Sequence, residues 1–131
     1  MAEVDPPALR RFLAGEVSPA QFSHREHVHM AFALLKRREF ARVVPLYARA
    51  LERITARAGK PEKFNLTITI ALLSLVAAAL QETPELDFEG FAAAHPSLFD
   101  KGTLARWYRP AQLCSALARR AFVLPDPAHA Q

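Results

Sequence analysis

Between His24 and Leu35 the apolar positions recur at helical spacing, so that His24, His27, Val28, Ala31, Leu34 and Leu35 share one face when the chain is wound as an α-helix. Ser23 is placed to cap that helix and Glu26, three residues on, to complete a capping box, which predicts a helix running to about Lys36. A longer segment follows over Glu39 to Ala58, in which Tyr47, Ala50, Leu51, Ile54 and Ala58 mark one buried face. Pro45 is expected to break or kink its beginning, and Gly59-Lys60-Pro61 to close it. Residues 66–81 are apolar nearly all round, with Asn65 as N-cap and Thr83-Pro84 as the stop, so this helix is expected at the centre of a bundle.

Shorter segments complete the pattern. Asp5, followed by Pro6 and Pro7, opens a helix over Ala8 to Ala14 that Gly15 ends, and Ser18-Pro19 makes a brief second start. Asp87 caps a helix through Ala94 that His95-Pro96 stops, Asp100 caps another over 101–107, and Pro110 begins a last one ending near Phe122. Only Thr67 to Ile70 alternates with period two, inside a longer helical pattern, so no strand is required. The expected fold is all-α: one compact domain over 1–124, of about five to seven helices around the central helix 66–81, with a flexible tail over 125–131.

Composition agrees with this and narrows the class. Of 131 residues 51% are apolar, enough for a hydrophobic core without disulfides, and alanine (25 residues) and arginine (13, against 4 lysines) favour helix. A single cysteine and no secretory leader make a cytoplasmic location the expectation. The apolar run Leu66 to Leu80, about 23 Å long as a helix, is short of the roughly 20 residues a membrane span needs. The net charge of +4 is uneven: −1 over residues 1–35, +6 over 36–63, −5 over 64–100 and +4 over 101–131. An acidic stretch between two basic ones suggests internal complementarity.

Histidine use is not explained by composition. Three of the five histidines, His24, His27 and His29, fall within six positions. His24 and His27 lie on the apolar face, whereas His29 is turned about 140° away toward solvent or the flank. Two imidazoles at i, i+3 project over one turn and can act as acid and base, polarise a ligand, or share a metal ion. A metal needs a third ligand, and no His or Cys motif at zinc spacing follows. No cofactor is therefore expected; if a divalent metal were bound, His24 and His27 would be its ligands. The plainer alternative is two partly buried histidines satisfied by local partners.

Three landmarks carry a resemblance. They are Phe22-Ser23-His24-x-x-His27-Val28, then Thr67-Ile68-Thr69 at the start of the apolar helix, and finally Leu104-x-Arg106-Trp107-Tyr108 with Ala118-Arg119-Arg120-x-Phe122-Val123-x-Pro125-Asp126. Over most of residues 20–126 the chain resembles a functionally unassigned family of small bacterial helical proteins. In that family the second landmark usually reads aromatic, His, Glu, Thr, where this chain has Phe64, Asn65, Leu66 and Thr67. The resemblance implies a site built from His24, His27 and the N-terminus of helix 66–81, and the departure weakens its metal version, because Asn hydrogen-bonds but does not titrate.

Other residues are weighed against this site. Asn65 and Thr69, one turn apart at a helix N-terminus, are candidates to orient a ligand, and Arg106 and Tyr108 to complete the pocket. The simpler roles are an N-cap for Asn65, hydroxyls bonding the preceding turn for Thr67 and Thr69, and an anchoring role for Trp107 and Tyr108. Arg42, Arg49, Arg53 and Arg57 form a basic stripe that reads as a solvated face, and the absence of interleaved aromatics argues against nucleic acid. Cys114, between Leu113 and Leu117, reads as a buried inert thiol, and His95 and His129 as incidental. The leading expectation is a small-molecule enzyme or ligand-binding protein using His24 and His27. The alternatives are a non-catalytic helical interaction module, pairing with itself or a partner, and a His-ligated metal site.

Overall fold

The computed structural model describes residues 6–127. Among them are seven α-helices, four short 3-10 helices and no strand, so the fold is all-α. No described helix is long and apolar enough to cross a membrane. The chain divides after Phe64 into two compact units, which are described in turn. The cap expected at Asp5, the tail histidine His129 and residues 128–131 of the expected tail lie outside the described residues.

The first unit is built from α1 (Pro7–Leu13), α2 (His24–Arg37) and α3 (Phe40–Arg57), with 3-10 turns at Pro19–Gln21 and Pro61–Lys63. Its buried side chains include Leu9, Phe12, Val28, Leu34, Val43, Tyr47 and Ile54. Helix α2 starts where the sequence places it, because Ser23 accepts the Glu26 N–H at 3.3 Å. Two helices end in the same way. After α1, Gly15 takes φ +75°, the Glu16 N–H reaches the Arg11 carbonyl and the Gly15 N–H the Phe12 carbonyl; after α3, Gly59 takes φ +73° with matching bonds from Lys60 to Thr55 and from Gly59 to Ala56. This paired geometry is the Schellman motif, and only glycine enters it without steric cost.

Two expectations for this unit are corrected. Of the break or kink expected at Pro45, the break is absent, since α3 is continuous across it. Pro45 and Ala41, whose carbonyl loses the helical bond, are both exposed, so water can satisfy the freed acceptor. The basic stripe is not wholly solvated either: the Arg53 guanidinium donates to the Leu13 carbonyl at 2.9 Å and that of Arg57 to the Gly15 carbonyl at 3.2 Å. Two cations from α3 thus sit on the carbonyl end of α1, where the helix dipole favours positive charge.

The second unit holds α4 (Leu66–Glu82), α5 (Phe88–Ala94), α6 (Pro110–Leu113) and α7 (Ala116–Arg120), with 3-10 turns at Pro96–Phe99 and Thr103–Arg106. Helix α4 buries Thr67, Thr69, Ala71, Leu72, Leu73, Val76 and Ala79 and exposes Ile68, Ser74, Ala78, Gln81 and Glu82. Ala71, Leu104 and Tyr108 form a core cluster, with Leu75, Trp107, Leu113 and Val123 packed against it. Asp87 caps α5 by accepting the Gly90 N–H at 2.9 Å.

Three further corrections fall in this unit. The helix expected over 101–107 is only a 3-10 turn; Asp100 accepts the Gly102 N–H two residues on, closing a tight turn instead of capping an α-helix. The single last helix is two short ones, because the Ser115 hydroxyl donates to the Gln112 carbonyl and accepts from the Ala118 N–H, ending one helix and starting the next. Cys114, at the end of α6, is therefore exposed and not buried.

Candidate functional site

The histidine pair sits on the first turn of α2, and both side chains are half-buried. The turn is fixed from both sides of the peptide chain: the His27 N–H donates to the Ser23 carbonyl at 3.1 Å, and the His27 carbonyl accepts from the Tyr47 hydroxyl at 2.7 Å. Tyr47 is fully buried, and burial raises its phenol far above the ordinary tyrosine value, so it stays a neutral donor. The His27 ring lies 4.6 Å from the Phe22 ring, which stacks on Phe12 at 5.3 Å; Phe12 in turn meets Tyr47 at 5.2 Å. An aromatic wall therefore covers one side of the imidazole.

That wall sets the chemistry of His27. Burial, and secondarily the neighbouring His24, lower its pKa from 6.5 to about 4. At pH 7 the ring is neutral, with one nitrogen to donate and one to accept. About one molecule in a thousand carries the imidazolium at that pH, so His27 is a poor general acid and a good neutral hydrogen-bonding group. His29 is half-buried, in keeping with a position on the flank of the helix, and α2 is also covered at Met30, Phe32 and Ala33 beyond the expected face.

The other four candidate residues belong to the second unit, where hydrogen bonds within the fold occupy three of them. Asn65 Oδ1 accepts the Ile68 N–H at 3.0 Å as the N-cap of α4, while its amide nitrogen donates to the Leu113 carbonyl at 2.7 Å. The Thr69 hydroxyl donates to the Asn65 carbonyl at 2.7 Å. Tyr108 is buried in the core cluster, its hydroxyl donating to the Val123 carbonyl at 2.7 Å, and burial raises its pKa. Arg106 is exposed and lies over the Trp107 ring at 5.1 Å.

Some important residues escaped the sequence reading. Thr67 does not bond its preceding turn; its hydroxyl donates to the Ala121 carbonyl at 2.7 Å and accepts the Val123 N–H at 3.1 Å. His95 is not incidental, since its Nε2 is 2.9 Å from the Thr83 hydroxyl and its ring 4.9 Å from Phe91. Among the described residues no three His, Cys, Asp or Glu side chains gather where they could hold a metal ion. No protein-family model, curated protein or solved structure matches the chain.

Proposed function

We propose that this chain is a small-molecule-binding protein whose site is the His24–His27 turn of α2, with the imidazoles acting as polarising and hydrogen-bonding groups. The observation that carries the reading is a neutral, half-buried His27 held against Phe22 with a second imidazole on the same turn. Such a pair offers both donors and acceptors beside an apolar wall, which suits a small ligand with an aromatic or aliphatic body and a polar end. Acid–base catalysis at His27 is the weaker form of the idea, because a pKa near 4 leaves little acid and a feeble base at pH 7. Asn65, Thr69 and Tyr108 are assigned to the scaffold and not to the ligand, since their polar atoms end on the backbone of the second unit.

The Phe22-Ser23-His24-x-x-His27 landmark lies at this turn, so the site is also the one that membership in the unassigned bacterial family would share. A bacterial cytoplasm, with its reduced thiols, is the compartment we propose for a chain with one exposed cysteine. The second reading, a helical interaction module with structural histidines, draws support from the same committed polar atoms in the second unit. A ligand screen followed on the imidazole NMR signals separates the two. Small carboxylates, amides and phenols are titrated into the protein and into His24→Gln and His27→Leu variants. Shifts of both imidazoles that vanish in the variants are expected; variants that only lose stability, with no compound moving either ring, would leave the module.

A further inference from the structure

The backbone after α7 is held mainly along one edge, through Ala121 and Val123, while Gln112 engages Leu124 and Asp126 farther on. Ala121 is extended (φ −137°, ψ 173°), its carbonyl and the Val123 N–H both engage Thr67 Oγ1, and the Val123 carbonyl accepts from Tyr108 at 2.7 Å. In an extended chain successive residues present their N–H and C=O groups to opposite edges. The Phe122 N–H and C=O and the Leu124 N–H therefore point away from Thr67, and among the described residues none of the three has a hydrogen-bond partner. The Leu124 carbonyl is taken by the Gln112 amide at 2.8 Å, which closes this open edge at its far end.

The side chains along the segment follow the same alternation. Val123 packs against the core cluster, while Phe122 is 43% and Leu124 73% exposed. Just before them stand Arg119 and Arg120, both exposed. The Arg119 guanidinium donates to the Cys114 carbonyl at 3.2 Å and that of Arg120 to the Ala116 carbonyl at 3.4 Å, while Arg109 is paired with Asp126 at 2.6 Å. An unpaired backbone edge with exposed apolar side chains is a template for strand addition, and the two exposed arginines at its start favour a negative partner.

We propose that the 121–124 edge docks an extended segment of a partner protein, one that alternates apolar and acidic residues and adds to this edge as a strand. A second copy of this chain fits less well, because it would bring its own Arg119 and Arg120 to the same short ribbon. The proposal stands apart from the histidine site and does not depend on it.

The test uses the full chain and a capped nine-residue peptide of alternating valine and glutamate. One control replaces glutamate by lysine, and a second carries N-methyl groups on every backbone nitrogen. The Val-Glu peptide is expected to shift the amide signals of residues 120–125 and to slow exchange at Phe122 and Leu124. The lysine peptide should bind about tenfold more weakly or worse, and the methylated one not at all. Phe122→Pro should abolish binding, since it removes an outward N–H while Ala121 already has the extended backbone favoured before proline. If that variant fails to fold, the methylated peptide decides the question on the unaltered protein. Equal binding of the two charged peptides, binding that survives methylation, or no response at 120–125 would overturn the proposal. So would protection of Phe122 that depends on protein concentration without peptide, the sign of self-pairing.

Discussion

His27 makes the stability of the protein depend on pH in a defined direction. Its pKa is about 4 in the folded state against 6.5 when exposed, so in between the unfolded chain binds more protons than the folded one. Stability contributed by the neutral ring is complete above pH 6.5 and is lost as the pH falls toward 4, by up to about 3 kcal/mol. Urea unfolding of the wild type should show this loss between pH 7 and 4.5, and His27→Gln should flatten that part of the profile while costing stability at pH 7. A wild-type profile with no more slope than His27→Gln would mean that the ring is not desolvated. Tyr47→Phe probes the same turn without titration. It removes the buried donor to the His27 carbonyl and should cost about 1–2 kcal/mol in chemical unfolding, leaving the pH slope in place.

At the scale of elements, what was legible in the sequence is what acts over three or four residues. Ser23, Asn65 and Asp87 cap the helices they precede, and Gly15 and Gly59 end the helices they follow, because cap and turn chemistry is local. The helix ends that misled depend on context. Pro45 is tolerated because it lies on the solvent face of α3, and Ser115 cuts the expected last helix through bonds that a periodicity count does not see. The two glycines allow a comparison. Both have φ near +75°, so alanine at either should cost about 1 kcal/mol in backbone strain. A β-carbon at Gly59 meets nothing within 4 Å, but at Gly15 it would lie 2.7 Å from Arg53 Cβ, which belongs to α3 and has little room to yield. Thermal unfolding should therefore rank Gly15→Ala below Gly59→Ala, and equal melting temperatures would mean that α1 can move off α3.

Across the whole molecule the candidate site was only partly legible, because the bonds that assign roles span long stretches of chain. The sequence shows His24 and His27 on one turn; it does not show that Phe22 covers His27 or that Tyr47, twenty residues on, holds its carbonyl. Nor does it show that Thr67 and Tyr108 serve the C-terminal segment, across separations of 54 and 15 residues. These long connections mean that residues 121–127 are part of the second unit's structure and not an appendage. Ending the chain after Arg120 would leave the buried hydroxyls of Thr67 and Tyr108 without their partners, at about 1–3 kcal/mol each, and would remove Val123 from the core at about 1 kcal/mol more. Set against a total stability of about 5–15 kcal/mol for a typical domain, that loss is enough to loosen the unit. The truncated chain is expected to show broadened or collapsed amide signals for residues 65–113 in a heteronuclear NMR spectrum. A well-dispersed spectrum with unchanged α4 exchange rates would show instead that the segment rests on the unit without supporting it.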